Sequence, residues 1–287
     1  MNDSKIQKTK KNGTTTMKTT KTTSQEGVLD LARKDLDLAK KEGGGVVSSL
    51  KMQQAHPNVW GPRFWFVFHI ATTVYPTKPS SHVRTAFFNF ILSIPLLLPC
   101  KECRNHCMKY ISENLNVVKS AVFSRRQVFE FFVNFHNSVN RRRGKPIVTV
   151  DEAIELYGYD ESEPSVNDIL PTMTRIQFSN PDIWGPHYWF FFHTASVHFP
   201  VKPTEAMKEA FYNFILVVPL LLPCMQCRKH AIEHIQQHLN NIEKYAIRGR
   251  QHAFKFFVDF HNSVNEMKQT AKMPLRLAKN LYGYDEF

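Results

Sequence analysis

AFFNFILSIPLLLPCKEC, residues 86–103, returns as AFYNFILVVPLLLPCMQC at residues 210–227. Each copy ends in a Cys-x-x-Cys behind Leu-Leu-Leu-Pro. Three more stretches repeat in the same order: WGPRFWFVFHIAT at 60–72 with WGPHYWFFFHTAS at 184–196, FEFFVNFHNSVN at 129–140 with FKFFVDFHNSVN at 254–265, and LYGYDE at 156–161 and 281–286. The offset is 124 to the middle of each unit and 125 beyond it. A unit of roughly 105 residues is longer than a solenoid repeat and can close a core of its own. The chain therefore divides into residues 1–57, a first domain at 58–159, a linker at 160–181 and a second domain at 182–287.

The punctuation within a unit is helical. Gly61-Pro62 suits a helix start, with Asn58 as a candidate cap, and the run to Tyr75 ends before Pro76. A second helix is predicted from Ser81 to Ile94, stopped near Pro95, and a third from the Cys-x-x-Cys behind Pro99 to about Glu113. Ser124 caps a fourth, RRQVFEFFVNFHNSVNRRR, which Gly144-Lys145-Pro146 ends. A short fifth, DEAIELYG, follows Thr149. The expectation is an all-α fold of two tandem five-helix domains, each a four-helix bundle with a short fifth helix.

Composition agrees. Among 287 residues there are 23 Phe against 11 Gly, and 43% are hydrophobic, enough for a core built of helices. The net charge is +12, and residues 1–24 carry six Lys and one Asp in a Lys/Thr-rich run without apolar periodicity. That run reads as a disordered tail; as a targeting peptide it lacks the arginines and the amphipathic stripe. Residues 25–45 hold one amphipathic helix stopped by three glycines. No apolar run approaches the ~20 residues needed to span a bilayer, so no membrane association is expected. Five cysteines with two Cys-x-x-Cys pairs point to redox or metal chemistry rather than to a disulfide framework.

The chemistry rests on three constellations. Cys100 and Cys103, with Cys224 and Cys227 as their counterparts, lie one turn apart at a helix start, where the helix dipole lowers the pKa of the first thiol. A structural zinc site needs four ligands, so zinc would require a four-cysteine site shared between units; Cys107 cannot serve generally, because Ala231 stands in its place. Trp65 and His69, repeated as Trp189 and His193, share a helix face. His136, Asn137 and Asn140, repeated as His261, Asn262 and Asn265, set polar groups into a Phe-rich helix, which is costly unless something satisfies them.

Together these motifs resemble the Erv/ALR-type FAD-linked sulfhydryl oxidases, over about 58–159 and again 182–284. HNSVNRRRGKP at 136–146 is the most specific piece. The resemblance implies a small helical bundle with its Cys-x-x-Cys beside the flavin of FAD. It implies Cys103 and Cys227 as the flavin-proximal sulfurs, and Cys100 and Cys224 as those that meet substrate. Trp65 and His69 would contact the cofactor; His136, Asn137, Asn140 and Lys145 would hold its nucleotide half. Trp189, His193, His261, Asn262 and Asn265 match in the second unit, where Gly-Lys-Pro is missing and Lys268 or Lys272 would substitute. The implied partners are protein thiols and molecular oxygen, with hydrogen peroxide as product. Erv-type domains pair as dimers, so the units would form an internal pseudo-dimer, or a homodimer would form between chains. Shuttle cysteines are absent, and Cys107 reads as an inert core thiol. The implied setting is cytoplasmic, in a host cell or virion if the source is a large DNA virus, with the mitochondrial intermembrane space as alternative. A non-catalytic helical module with the bridged zinc site is the rival. A nucleic-acid role for the tail and for RRR at 141–143 is not expected, since no recognition motif accompanies them.

Overall fold

The computed structural model describes residues 53–161, 178 and 180–284. The Lys/Thr-rich tail, the amphipathic helix after it and most of the linker lie outside the described residues. Among the described residues there is no strand. The first unit runs α1 (Pro57–Thr73), α2 (Ser81–Leu97), α3 (Lys101–Glu113), α4 (Leu115–Ala121), α5 (Arg125–Arg142) and α6 (Val150–Tyr157). The second runs α7 (Pro181–Val197), α8 (Glu205–Leu221), α9 (Met225–Gln237), α10 (Leu239–Lys244), a 3-10 turn at Ala246–Arg248, α11 (Arg250–Met267) and α12 (Leu275–Tyr282).

Caps fix most of these ends. The Ser124 side chain accepts from the Gln127 amide to open α5. Thr149 and Glu152 form a reciprocal capping box at α6, which Gly158 ends in the left-handed region at φ 60°. Three expectations need correction. The α1 cap is the His56 ring, which accepts from the Asn58 amide at 3.2 Å, so the helix starts before Gly61-Pro62 and Pro62 sits inside it. Pro95 does not stop α2, nor does Pro219 stop α8; both helices continue two residues further. The burial of Phe90, Ile91, Ile94 and Leu97 outweighs the hydrogen bond that proline cannot make. Each unit also has one more short helix than the five predicted, α4 and its counterpart α10, in stretches of weak apolar periodicity.

Within a unit α1 packs on α5, α2 on α3, and the short α4 and α6 lie against α5. Between units α2 packs along α8 and α1 along α7. Equivalent residues meet there: the Phe90 and Phe214 rings lie 6.5 Å apart and stacked. Phe64 stands edge-on to Phe191 at 4.7 Å. The Arg63 guanidinium covers Phe190 at 4.3 Å, and at the mirror position His187 stacks on Phe66 at 4.3 Å. One apolar cluster therefore runs through both units, from Phe64 and Phe68 to Phe191 and Phe214. A fully buried Phe contributes roughly 2–3 kcal/mol, so this seam is a principal support of both halves.

Candidate active site

Each Cys-x-x-Cys sits where a helix begins. Cys100 is the N-cap of α3, and its sulfur accepts from the Cys103 amide at 3.3 Å. Cys224 caps α9 in the same way, at 3.2 Å from the Cys227 amide. Proline ahead of each cysteine favours the extended entry, and the free amides of the first turn then face the sulfur. Both pairs are disulfide-bonded. On reduction a thiolate at this position is stabilised by the amide and the positive end of the helix.

Both disulfides open on cavities. The first, of about 370 Å³, is walled by Trp65 of α1, Cys100, Cys103 and His106 of the third-helix segment, Arg142 of α5 and its C-cap Arg143. The second, of about 620 Å³, has Trp189, Cys224, Cys227, His230, Lys229 and Lys268 in its wall. The four cysteines thus line two separate cavities and do not converge on one ion. Among the described residues no group of three or more His, Cys, Asp or Glu is placed to hold a metal.

Behind each cavity stands an aromatic stack. Trp65 lies flat on His136 at 4.1 Å with 7° between the rings, and Trp189 lies on His261 at 4.0 Å and 7°. His136 Nδ1 meets His69 Nε2 at 3.1 Å; His261 meets His193 at 3.2 Å. His69 stacks in turn on Tyr157, and His193 on Tyr282. Burial, then the neighbouring imidazole, holds His69 and His193 well below the usual histidine range. His136 falls to about 4 through burial and then the Lys145 charge, and His261 to about 4 through burial. All four rings are neutral at neutral pH, and one nitrogen of each pair donates to the other. The other ring nitrogen of His69 and of His193, Nδ1, is buried without a partner.

The asparagines do other work. The Asn137 amide donates to the Val148 carbonyl at 2.6 Å and accepts from its amide at 2.9 Å. Asn262 holds Met273 in the same two-bond grip. These side chains fasten the segment after the long helix. Asn140 is buried, and Asn140 and Asn265 lend their carbonyls to the turns that end α5 and α11. Lys145 is exposed and outside the cavity wall, although its charge acts on His136. Lys268 lines the second cavity and reaches Asp182 at 3.3 Å, whereas Lys272 pairs with Glu266 at 2.9 Å. Cys107 is buried, and burial pushes its thiol up. Sequence reading missed Arg142 and Arg143 as cavity cations, having set the RRR run aside as a nucleic-acid feature. It also missed the tyrosines of the LYGYDE repeat, whose recurrence was the available signal.

A bound FAD suits these walls: flat aromatic surfaces beside the disulfide, cations at the rim for a pyrophosphate and, in the first cavity, the unpartnered Nε2 of His106. The model of the Erv1/Alr family matches residues 62–157 and 186–282, about two thirds of the chain. A protein of Invertebrate iridescent virus 3 named as an FAD-linked sulfhydryl oxidase is 44% identical over 102 residues, covering 35% of this chain and 67% of its own. Another with that name in Invertebrate iridescent virus 6 is 38% identical over 103 residues, covering 34% and 90%. The FAD-linked sulfhydryl oxidase of African swine fever virus is 28% identical over 99 residues, covering 34% and 79%. No solved structure matches the chain.

Proposed function

The chain belongs to the Erv1/Alr family, and on that premise we propose that it is an FAD-dependent thiol oxidase with one redox site in each of two tandem domains, 58–159 and 182–287. One observation carries the reading: in both halves a helix-start disulfide opens on a cavity walled by a Trp, Trp65 or Trp189, that is backed by a stacked His.

In the first half a substrate thiolate attacks Cys100 Sγ. A substrate–Cys100 bond forms, the Cys100–Cys103 bond breaks, and Cys103 leaves as thiolate. A second substrate thiol attacks the substrate sulfur, so Cys100 is released and the substrate leaves as disulfide. Two electrons now rest on the Cys100 and Cys103 pair. In the disulfide state the N-cap geometry places the Cys103 amide on Cys100 Sγ. A bound FAD would supply the two-electron acceptor for the dithiol, with molecular oxygen as the final acceptor and hydrogen peroxide as product. Trp65, backed by the His136 ring stacked on it, would hold its flat ring system, and Arg142 and Arg143 would hold its phosphates. His69 keeps the His136 ring oriented, and Asn137 fastens the segment behind it. In the second half Cys224, Cys227, Trp189, His261, His193 and Lys268 take the same parts.

Protein thiols are the substrates this chemistry serves. The packing of α2 on α8 supports an internal counterpart of a dimer. Among the described residues no helix is long and apolar enough to cross a membrane. The viral relatives support a setting in host cytoplasm or virion, with the mitochondrial intermembrane space as the second choice. The test is a visible absorption spectrum of the purified protein with a flavin count, alongside thiol consumption and peroxide release. Two flavins per chain and stoichiometric peroxide are expected; a protein that cannot be loaded with FAD overturns the reading.

A further inference from the structure

The residue after each second cysteine is an arginine, and its side chain crosses to the other half. Arg104 donates through Nε to the Leu98 carbonyl at 2.5 Å and through Nη2 to the His198 carbonyl at 3.2 Å. Arg228 donates through Nε to the Leu222 carbonyl at 2.6 Å and through Nη2 to the Val74 carbonyl at 3.1 Å. Leu98 and Leu222 stand two residues before the N-cap cysteines. Val74 and His198 are the C-caps of α1 and α7, each in the opposite unit.

The arginine backbone completes the grip. The Arg104 amide donates to the Cys100 carbonyl, and the Arg228 amide to the Cys224 carbonyl, both at 2.9 Å. Each Leu-Pro-Cys turn is therefore held before and at its cysteine by one residue, which is anchored on the far side of the seam. The anchor is a good one, because carbonyls at a helix C-terminus carry the negative end of the dipole. Each of those ends also takes an arginine of its own unit: Arg125 on the Tyr75 carbonyl and Arg250 on the Phe199 carbonyl. Two guanidinium groups from different units so share each helix end. Burial, then the Arg250 charge, brings Arg104 down to about 10, which still leaves it charged at neutral pH. The arrangement occurs twice, at positions related by the internal offset.

We propose that Arg104 and Arg228 are positioning residues that hold each dithiol turn against the opposite domain, so that the redox equilibrium of each cysteine pair depends on a helix end in the other half. This rests on the thiol oxidase reading for its use, but not for its test. A turn that keeps its cysteine at the helix N-terminus favours the reduced thiolate. Freeing the turn moves the pair toward the disulfide, by two electrons and two protons per pair, against a reference dithiol.

The full chain is equilibrated anaerobically with mixtures of reduced and oxidised dithiothreitol, and each pair is trapped and counted by peptide mass spectrometry. Arg228→Lys, which reaches only one carbonyl, is expected to shift Cys224–Cys227 about ten-fold toward the disulfide and leave Cys100–Cys103 in place. Arg125→Met, made in the first unit, is expected to shift the second unit's pair more than its own. Arg104→Lys and Arg250→Met give the mirror measurement on Cys100–Cys103 and serve if the first variants melt below the assay temperature. Pairs that stay within two-fold of the parent in folded variants, or an Arg125→Met that shifts Cys100–Cys103 alone, overturn the proposal. A protein without flavin defeats the oxidase reading and leaves this measurement intact.

Discussion

The two halves keep the same sulfur geometry and the same Trp–His–His–Tyr stack, but they differ at the rim of the cavity and at the helix starts around it. The first half has Arg142 and Arg143 in the wall; the second has Met267 and Lys268 there, with Lys229 on α9, around a larger cavity. Ser124 caps α5 with its side chain, whereas Gly249 precedes α11 without a side-chain cap. Thr149 closes a capping box at α6, and Pro274 has no such bond at α12. The sulfur exchange tolerates little displacement. Phosphate binding and capping can be met by several residues, so copies are free to differ there. Arginine's planar fork suits a phosphate better than lysine's point charge, so the first half is the better equipped for a dinucleotide.

The strongest attempt to break this comparison removes one sulfur at a time. Cys103→Ser and Cys227→Ser are each expected to leave about half the turnover, and the double variant none above background. If either single change abolishes all turnover, the halves work in series. Arg142→Gln with Arg143→Gln is expected to lower flavin retention in the first half several-fold, to the level of the second, read by flavin released on dialysis. Acid tests what the halves share. His136 and His261 are neutral in the fold with pKa about 4, against about 6.5 unfolded, so the unfolded chain binds more protons between those values. Stability is then full above about 6.5 and falls as pH drops toward 4, by roughly 3 kcal/mol per ring. Denaturant midpoints at pH 7 and 4.5 measure this, and His136→Gln and His261→Gln should flatten the slope equally.

Smaller effects sharpen the contrast at the helix starts. A Cβ on Gly249 would lie 2.3 Å from the Val201 carbonyl oxygen, so Gly249→Ala is expected to cost about 1–3 kcal/mol. Ser124→Ala loses the bond to the Gln127 amide and about 1 kcal/mol. Cys107→Ala should leave activity unchanged and cost about 1 kcal/mol or less in thermal unfolding, since Ala231 fills the equivalent place.

The helices were legible where local chemistry marks them. Ser124, Thr149 and Gly158 are signals that act within a few residues, and the repeat revealed two domains before any element was placed. The stop at Pro95 was misread because local cost was weighed without the burial that overrides it. The cysteines, Trp65 and His136 were legible as a set because their residue types recur at fixed spacing. Asn137 was legible as a polar group needing a partner, but not that its partner is the Val148 backbone eleven residues on. The arginine bridges were not legible at all. Arg104 meets His198 across 94 positions, and its neighbours in sequence give no hint of that reach.

The seam between the halves has one further consequence. In a dimer of identical chains every substitution appears twice, once on each side of the axis, and must be tolerated in both places. Here Arg63 covers Phe190 on one side while His187 covers Phe66 on the other. Joining the two copies in one chain has unlinked these positions. Each side of the seam can accept a residue that its counterpart could not, and the tether keeps the faces together at any dilution while they diverge.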